Sequence, residues 1–225
     1  MKKIVSLFLA LTMLSLTACG GAQSAPPSGE EANAAEASVS AQPEQSAEQA
    51  ESGADTQSPA QAPKGGSTLI VYFSESGNTE TIANYIHEAV GGDIARIVPV
   101  VEYPHEYEEL ADYAKGEQDR DERPAFEELG VDPTSYDTVF IGYPIWWYSL
   151  PMILETFFDT YDFTGVTIVP FNTHEGSRDG GTYDMIRDRE PGATVLEGLP
   201  IRGGDVDEAS SKAAVQEWIA GLGLE

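Results

Sequence analysis

Ser74, Glu75, Ser76, Gly77, Asn78 and Thr79 place three hydroxyls and an amide side chain around one glycine. The hydroxyls and the amide are neutral hydrogen-bond donors, and the glycine lets the backbone approach a ligand closely. The chemistry that suits them is anion binding, and what the loop lacks narrows the anion. It has no Lys, so it departs from Gly-x-x-x-x-Gly-Lys-Ser/Thr, whose Lys holds the outer phosphates of a triphosphate. It has one glycine, where a dinucleotide loop has three. A single terminal phosphate monoester fits such donors. The same residues would also serve as a plain helix N-cap, and the loop alone leaves both readings open.

Two further stretches carry functional side chains. Tyr143-Pro144-Ile145-Trp146-Trp147-Tyr148 puts four aromatics into six residues. Read as a loop, it must run over the surface. The aromatics then either fold back onto the core or cover something flat that stacks. Thr173, His174, Glu175, Gly176 and Ser177 form a polar stretch suited to the rim of such a ring. His174 is a candidate proton donor there, or simply polar surface.

The elements between these stretches alternate. Residues 68–73, 94–98, 136–143, 165–171 and 193–196 are short β-branched or aromatic runs and read as strands. Helical spacing follows the first run (Ile82, Ile86, Ala89, Val90, closed by Gly91-Gly92), the third (Ile153, Leu154, Phe157, Phe158, with Pro151 in the first turn) and the fourth (Tyr183 to Arg189). Asp205 and Glu208 have capping-box spacing ahead of a last helix carrying Val206, Ala209, Ala213 and Trp218. Residues 102–120 read as an irregular helical insert. Its Glu106, Glu108, Glu109 and Asp112, with His105 the only softer ligand nearby, read as a solvated face rather than a metal site. Strand–helix alternation predicts an α/β fold with a parallel sheet covered on both faces. All three candidate loops then leave the carboxyl ends of strands, where such sheets bind ligands.

Three motifs in this order resemble the flavodoxin family across about residues 68 to 222: Tyr72-Phe73-Ser74-x-Ser76-Gly77-Asn78-Thr79, Gly142-Tyr143-Pro144-Ile145-Trp146-Trp147 and Pro170-Phe171-x-Thr173-x-x-Gly176-Ser177. The resemblance implies a flavodoxin-like three-layer sandwich with a five-stranded parallel sheet in the order 2-1-3-4-5. It also implies non-covalent FMN, held by residues 74–79, 143–148 and 173–177, and electron transfer with redox partner proteins or small-molecule acceptors. The sequence departs from many flavodoxins in one respect, because Trp146-Trp147-Tyr148 has no glycine beside the expected ring.

The N-terminus bounds where this happens. Met1-Lys2-Lys3, an apolar run from Ile4 to Leu16 and Thr17-Ala18-Cys19 have the order of a secretory signal. Leu16-Thr17-Ala18-Cys19 resembles a bacterial lipobox, which implies lipidation of Cys19 and an anchor outside the cytoplasmic membrane. Cys19 is the only cysteine, so intrachain disulfides and paired-thiol redox chemistry are excluded. Residues 20–66 lack aromatics and read as a disordered tether spanning roughly 35–40 Å. Residues 67–225 form the folded domain. It holds 31 of the 38 acidic and 9 of the 12 basic residues, a net charge of −22. Such a surface excludes nucleic-acid binding by counterion release and leaves the lipid as the membrane contact. Three functions remain: an electron carrier, an FMN-dependent NAD(P)H or quinone oxidoreductase, and a binding module that has lost FMN.

Overall fold

Leu69, Ile70, Val71 and Tyr72 are all buried, because the strand they form has helices on both sides. The structure is a computed structural model that describes residues 66–224. The signal, Cys19 and almost all of the tether lie outside the described residues. In chain order the elements are β1 (Thr68–Tyr72), α1 (Asn78–Val90), β2 (Asp93–Arg96), α2 (Tyr107–Asp119), β3 (Thr138–Pro144), α3 (Met152–Thr160), β4 (Thr167–His174), α4 (Thr182–Arg189), β5 (Thr194–Val195), β6 (Leu199–Arg202) and α5 (Ala209–Gly221).

The sheet is parallel throughout, in the order β2-β1-β3-β4-β5, with β6 also paired to β4. Alternate residues of each strand enter opposite cores, as the two-residue period requires. Leu69, Val71, Val139, Ile141 and Ile168 pack with Ile153 and Phe157 of α3 and Ile186 of α4. Ile70, Tyr72, Phe140 and Val169 pack with Ile82 and Ile86 of α1 and Val215 of α5. This is the expected three-layer sandwich. Among the described residues, no helix is long and apolar enough to cross a membrane.

Three expectations change in detail. The fifth strand is split: β5 pairs with Thr167-Ile168 and β6 with Phe171 to His174. The carbonyls of Val166 and Ile168 accept from Thr194 and Leu196, so alternate residues of this stretch, Pro170 included, turn their backbone groups toward that edge. Pro170 has no N–H to give there, and the ladder lapses beside it. Strands β3 and β4 run on one residue to Pro144 and three residues to His174, so Thr173 and His174 are strand residues. The capping box does not form: α5 starts after Glu208 with no side-chain cap, and the Asp205 carbonyl instead accepts from Ser211 Oγ at 2.8 Å.

Candidate functional site

The segments that follow β1, β3, β4 and β6 converge at the carboxyl edge of the sheet, where they line a cleft of about 620 Å³ together with one face of α2. That size suits a small-molecule ligand.

At the end of β1 the chain turns through Gly77, whose φ of 85° is left-handed and favours glycine. Gly77 is the N-cap of α1 and supplies no side-chain cap, so the first-turn N–H groups are left for a ligand. Glu75, Ser76 and Asn78 line the cleft. Ser74 is buried just behind them, and its Oγ has no hydrogen-bond partner. A buried hydroxyl in that condition costs about 1–3 kcal/mol. Its carbonyl is held by Arg96 Nη2 at 2.7 Å. Thr79 is buried too, with Oγ1 2.8 Å from Thr173 Oγ1, which ties this loop to β4. An uncapped helix start, an unpaired buried hydroxyl and neutral donors fit a phosphate monoester.

In the aromatic stretch Tyr143 departs from the sequence reading. It is fully buried in β3, its hydroxyl lies 2.9 Å from Thr182 Oγ1, and it does not line the cleft. The two-residue period turns it into the core. Pro144, Ile145, Trp146, Trp147 and Tyr148 do line it. Trp146 is fixed edge-on against Phe73 and Tyr103, with ring centroids at 5.3 and 5.2 Å. Backbone bonds in both directions between Trp146 and Ser149 close a two-residue turn. Its central residues, Trp147 and Tyr148, have φ of 50° and 59°. Positive φ at both positions is the habit of a primed hairpin turn, normally filled by Asn-Gly. Each bulky residue held there costs on the order of 1–3 kcal/mol. Trp147 Nε1–H donates to the Ala111 carbonyl of α2 at 2.8 Å. Replacing Trp147→Asn with Tyr148→Gly should therefore raise unfolding stability by about 1 kcal/mol, the relieved strain outweighing the lost bond. Urea denaturation checks this, and a lower midpoint would show an unstrained turn.

Thr173 and His174 end β4, and Glu175, Gly176 and Ser177 follow; all five line the cleft. The Gly176 N–H donates to His174 Nδ1 at 2.9 Å. Burial, then the Arg178 charge, push the His174 pKa below its usual value, and Glu175 opposes them. The ring is therefore neutral near pH 7, with its proton on Nε2 as a donor. The loop is braced from below by fully buried Asn172, whose Nδ2 donates to the Arg178 carbonyl at 2.9 Å and whose Oδ1 accepts from Tyr183.

Two parts of the site have no counterpart among the sequence candidates. The face of α2 carrying Tyr107, Leu110, Ala111 and Ala114 forms one wall of the cleft. The helical spacing of these four residues within the acidic insert was the available signal. Its carboxylates Glu106, Glu108, Glu109 and Asp112 are exposed, and no group of described residues has the makings of a metal site. The second part is Gly203, just after β6. A Cβ there would stand 2.4 Å from Glu175 Oε1 and 2.7 Å from Asn78 Nδ2. A side chain there would have to displace both of those side-chain tips, and Gly203-Gly204 between strand and helix reads in the sequence as an ordinary turn.

A family model described as Flavodoxin matches residues 67–222. A candidate flavoprotein from Bacteroides uniformis ATCC 8492 is 32% identical, with a TM-score of 0.61, covering 70% of this chain and 99% of its own. Another from Bacteroides eggerthii DSM 20697 is 29% identical, with a TM-score of 0.62, over 71% and 99%. A flavoprotein from Lactobacillus acidophilus NCFM, solved in complex with FMN, shares the fold at 22% identity and a TM-score of 0.53, over 64% of this chain and 98% of its own. No curated protein matches.

Proposed function

The chain belongs to the flavodoxin family, and we propose that it holds one FMN non-covalently in this cleft and carries electrons between redox partners outside the cytoplasmic membrane. The observation that carries the reading is the unpaired Ser74 hydroxyl beneath the uncapped start of α1. A phosphate monoester would accept from Ser74, Ser76, Asn78 and the first-turn N–H groups without any lysine. The FMN complex of the Lactobacillus acidophilus neighbour supports the same choice of ligand.

The remaining residues suit the other parts of that cofactor. Trp146, pinned by Phe73 and Tyr103, offers a rigid aromatic wall that excludes water from a flat ring. Trp147 and Tyr148 stand at the mouth, 48% and 72% exposed. Thr173 and the loop N–H groups present donors to a polar ring edge. FMN, when bound, supplies the electron chemistry that no side chain here possesses. The protein binds it, orients it and keeps water from its face.

The test is the absorbance of the purified protein and its turnover with NADH or NADPH. A flavin spectrum with no steady-state turnover is the expected result. Turnover would make it an FMN-dependent oxidoreductase, and a colourless protein that fails to take up FMN would overturn the proposal. Tethering rests on Leu16-Thr17-Ala18-Cys19, with residues 20–66 as the spacer before the domain at 67–225. Cys19→Ala should move the protein from the membrane fraction to the soluble fraction of a fractionated cell. Retention in the membrane would exclude a lipid anchor on that residue.

A further inference from the structure

The described residues include nine arginines and lysines in a domain where carboxylates outnumber them more than threefold. Seven of the nine sit in ion pairs with carboxylates. Among the described residues the two outside any such pair are Arg178 and Arg202, and both adjoin His174. Arg202 is the register partner of His174 across β4 and β6. Arg178 lies four residues beyond His174 in the same loop. Its backbone is held at a left-handed φ of 57° by buried Asn172, which takes the Arg178 carbonyl. A loop held in an unfavourable conformation by a buried amide is a built feature. His174 lines the cleft with its Nε2–H free to donate, since Nδ1 is already taken by the Gly176 N–H.

We propose that Arg178, Arg202 and His174 Nε2–H form an anion-recognition site at the mouth of the cleft, for the phosphate or carboxylate group of a small-molecule redox substrate. This rests on the reading of the cleft as the FMN site, because it concerns what approaches the cofactor. Two cations, Arg178 and Arg202, and two carboxylates, Glu175 and Asp205, act electrostatically on His174. The mouth is thus locally neutral within a domain of net charge −22. That balance selects for size. An extended acidic partner would meet the carboxylates around the site and be repelled. A small molecule with one or two negative charges needs only the guanidinium forks, and salt screens more distant carboxylates beyond about 8–10 Å. Arginine suits the task because its planar fork pairs with carboxylate or phosphate oxygens two at a time.

The experiment uses the full-length protein loaded with FMN, so that the 74–79 loop is already filled. The His174 ring signals are followed by ¹⁵N NMR while inorganic phosphate, benzoate or neutral benzamide is added at constant ionic strength. Phosphate and benzoate should shift them saturably, and benzamide should not. Arg178→Gln and Arg202→Gln should each weaken the anions by about tenfold, while Arg120→Gln, on a remote ion pair, leaves them unchanged. Phosphate binding without benzoate would make the substrate an organic phosphate, and the reverse a carboxylate. No saturable shift, an equal response to benzamide, or full affinity in both arginine variants would overturn the site. So would a loss of FMN affinity in those variants with riboflavin affinity intact, which would assign the arginines to the cofactor phosphate. Flavin absorbance before the titration tests the cofactor reading separately, so the two ideas fail on different measurements.

Discussion

Changing Ser74 and Ser76 together to Ala is expected to weaken FMN by more than about 100-fold and riboflavin by less than about threefold. Two hydrogen bonds to a charged group are removed, each contributing roughly 1.5–3 kcal/mol, and 1.4 kcal/mol is a factor of ten. Riboflavin has no phosphate and loses neither bond. Ser74 adds a second signature. Its hydroxyl is buried and unpaired in the ligand-free fold, so Ser74→Ala alone should raise the stability of the flavin-free protein by about 1 kcal/mol. A more stable apoprotein that binds its cofactor less well would mark the hydroxyl as kept for the ligand. Equal losses for FMN and riboflavin would move the phosphate elsewhere. Fluorescence titration with each flavin and thermal melts of the apoprotein supply the measurements.

The second large effect concerns Glu117 of α2, which is 2% exposed and accepts from the Tyr103 hydroxyl at 3.1 Å. Burial pushes its pKa up to about 7; the Tyr103 bond and the Arg120 charge pull down, and the Glu122 charge pushes up. The folded state therefore holds a proton that the unfolded chain releases near pH 4.5. The stability conferred by protonated Glu117 is complete below that pH and is lost as the pH rises to about 7. Across the window this amounts to roughly 3 kcal/mol. Glu117→Gln keeps an acceptor for Tyr103 and has no charge to bury. It should match the parent near pH 5 and exceed it by about 2–3 kcal/mol at pH 8, as measured by urea midpoints. Parallel pH profiles for the two proteins would show that Glu117 is solvated as a carboxylate. The effect reaches the cleft, because Tyr103 packs edge-on against Trp146.

The order of elements and the three-loop site were legible because both rest on local signals. Leu69 to Tyr72 had to be a doubly covered strand, since every residue in it is apolar. Ser74 to Thr79 had to form a polar turn between that strand and a helix. What escaped the sequence depends on register or on distance. Tyr143 differs from Trp146 by which side of the Pro144 strand end it falls on. The cleft face of α2 is invisible until the insert is placed against the aromatic turn through the Trp147–Ala111 bond. Gly203 matters only because Glu175 and Asn78, far away in sequence, meet beside it. Arg178 and Arg202 stand out only once every other arginine and lysine among the described residues is seen to have found its carboxylate.

Pro170 has a bearing on how these molecules treat one another. An open sheet edge offers unpaired N–H and C=O groups on which a foreign strand can add. Here one rim is broken into pieces of two and four residues where Pro170 withholds its N–H. The other rim is the four residues of β2, closed off at Pro99, which bridges to Phe126. Neither rim is long enough to nucleate a ladder between copies. With the lipid anchor proposed on Cys19, which would concentrate the chains in two dimensions, that makes dense packing compatible with staying separate.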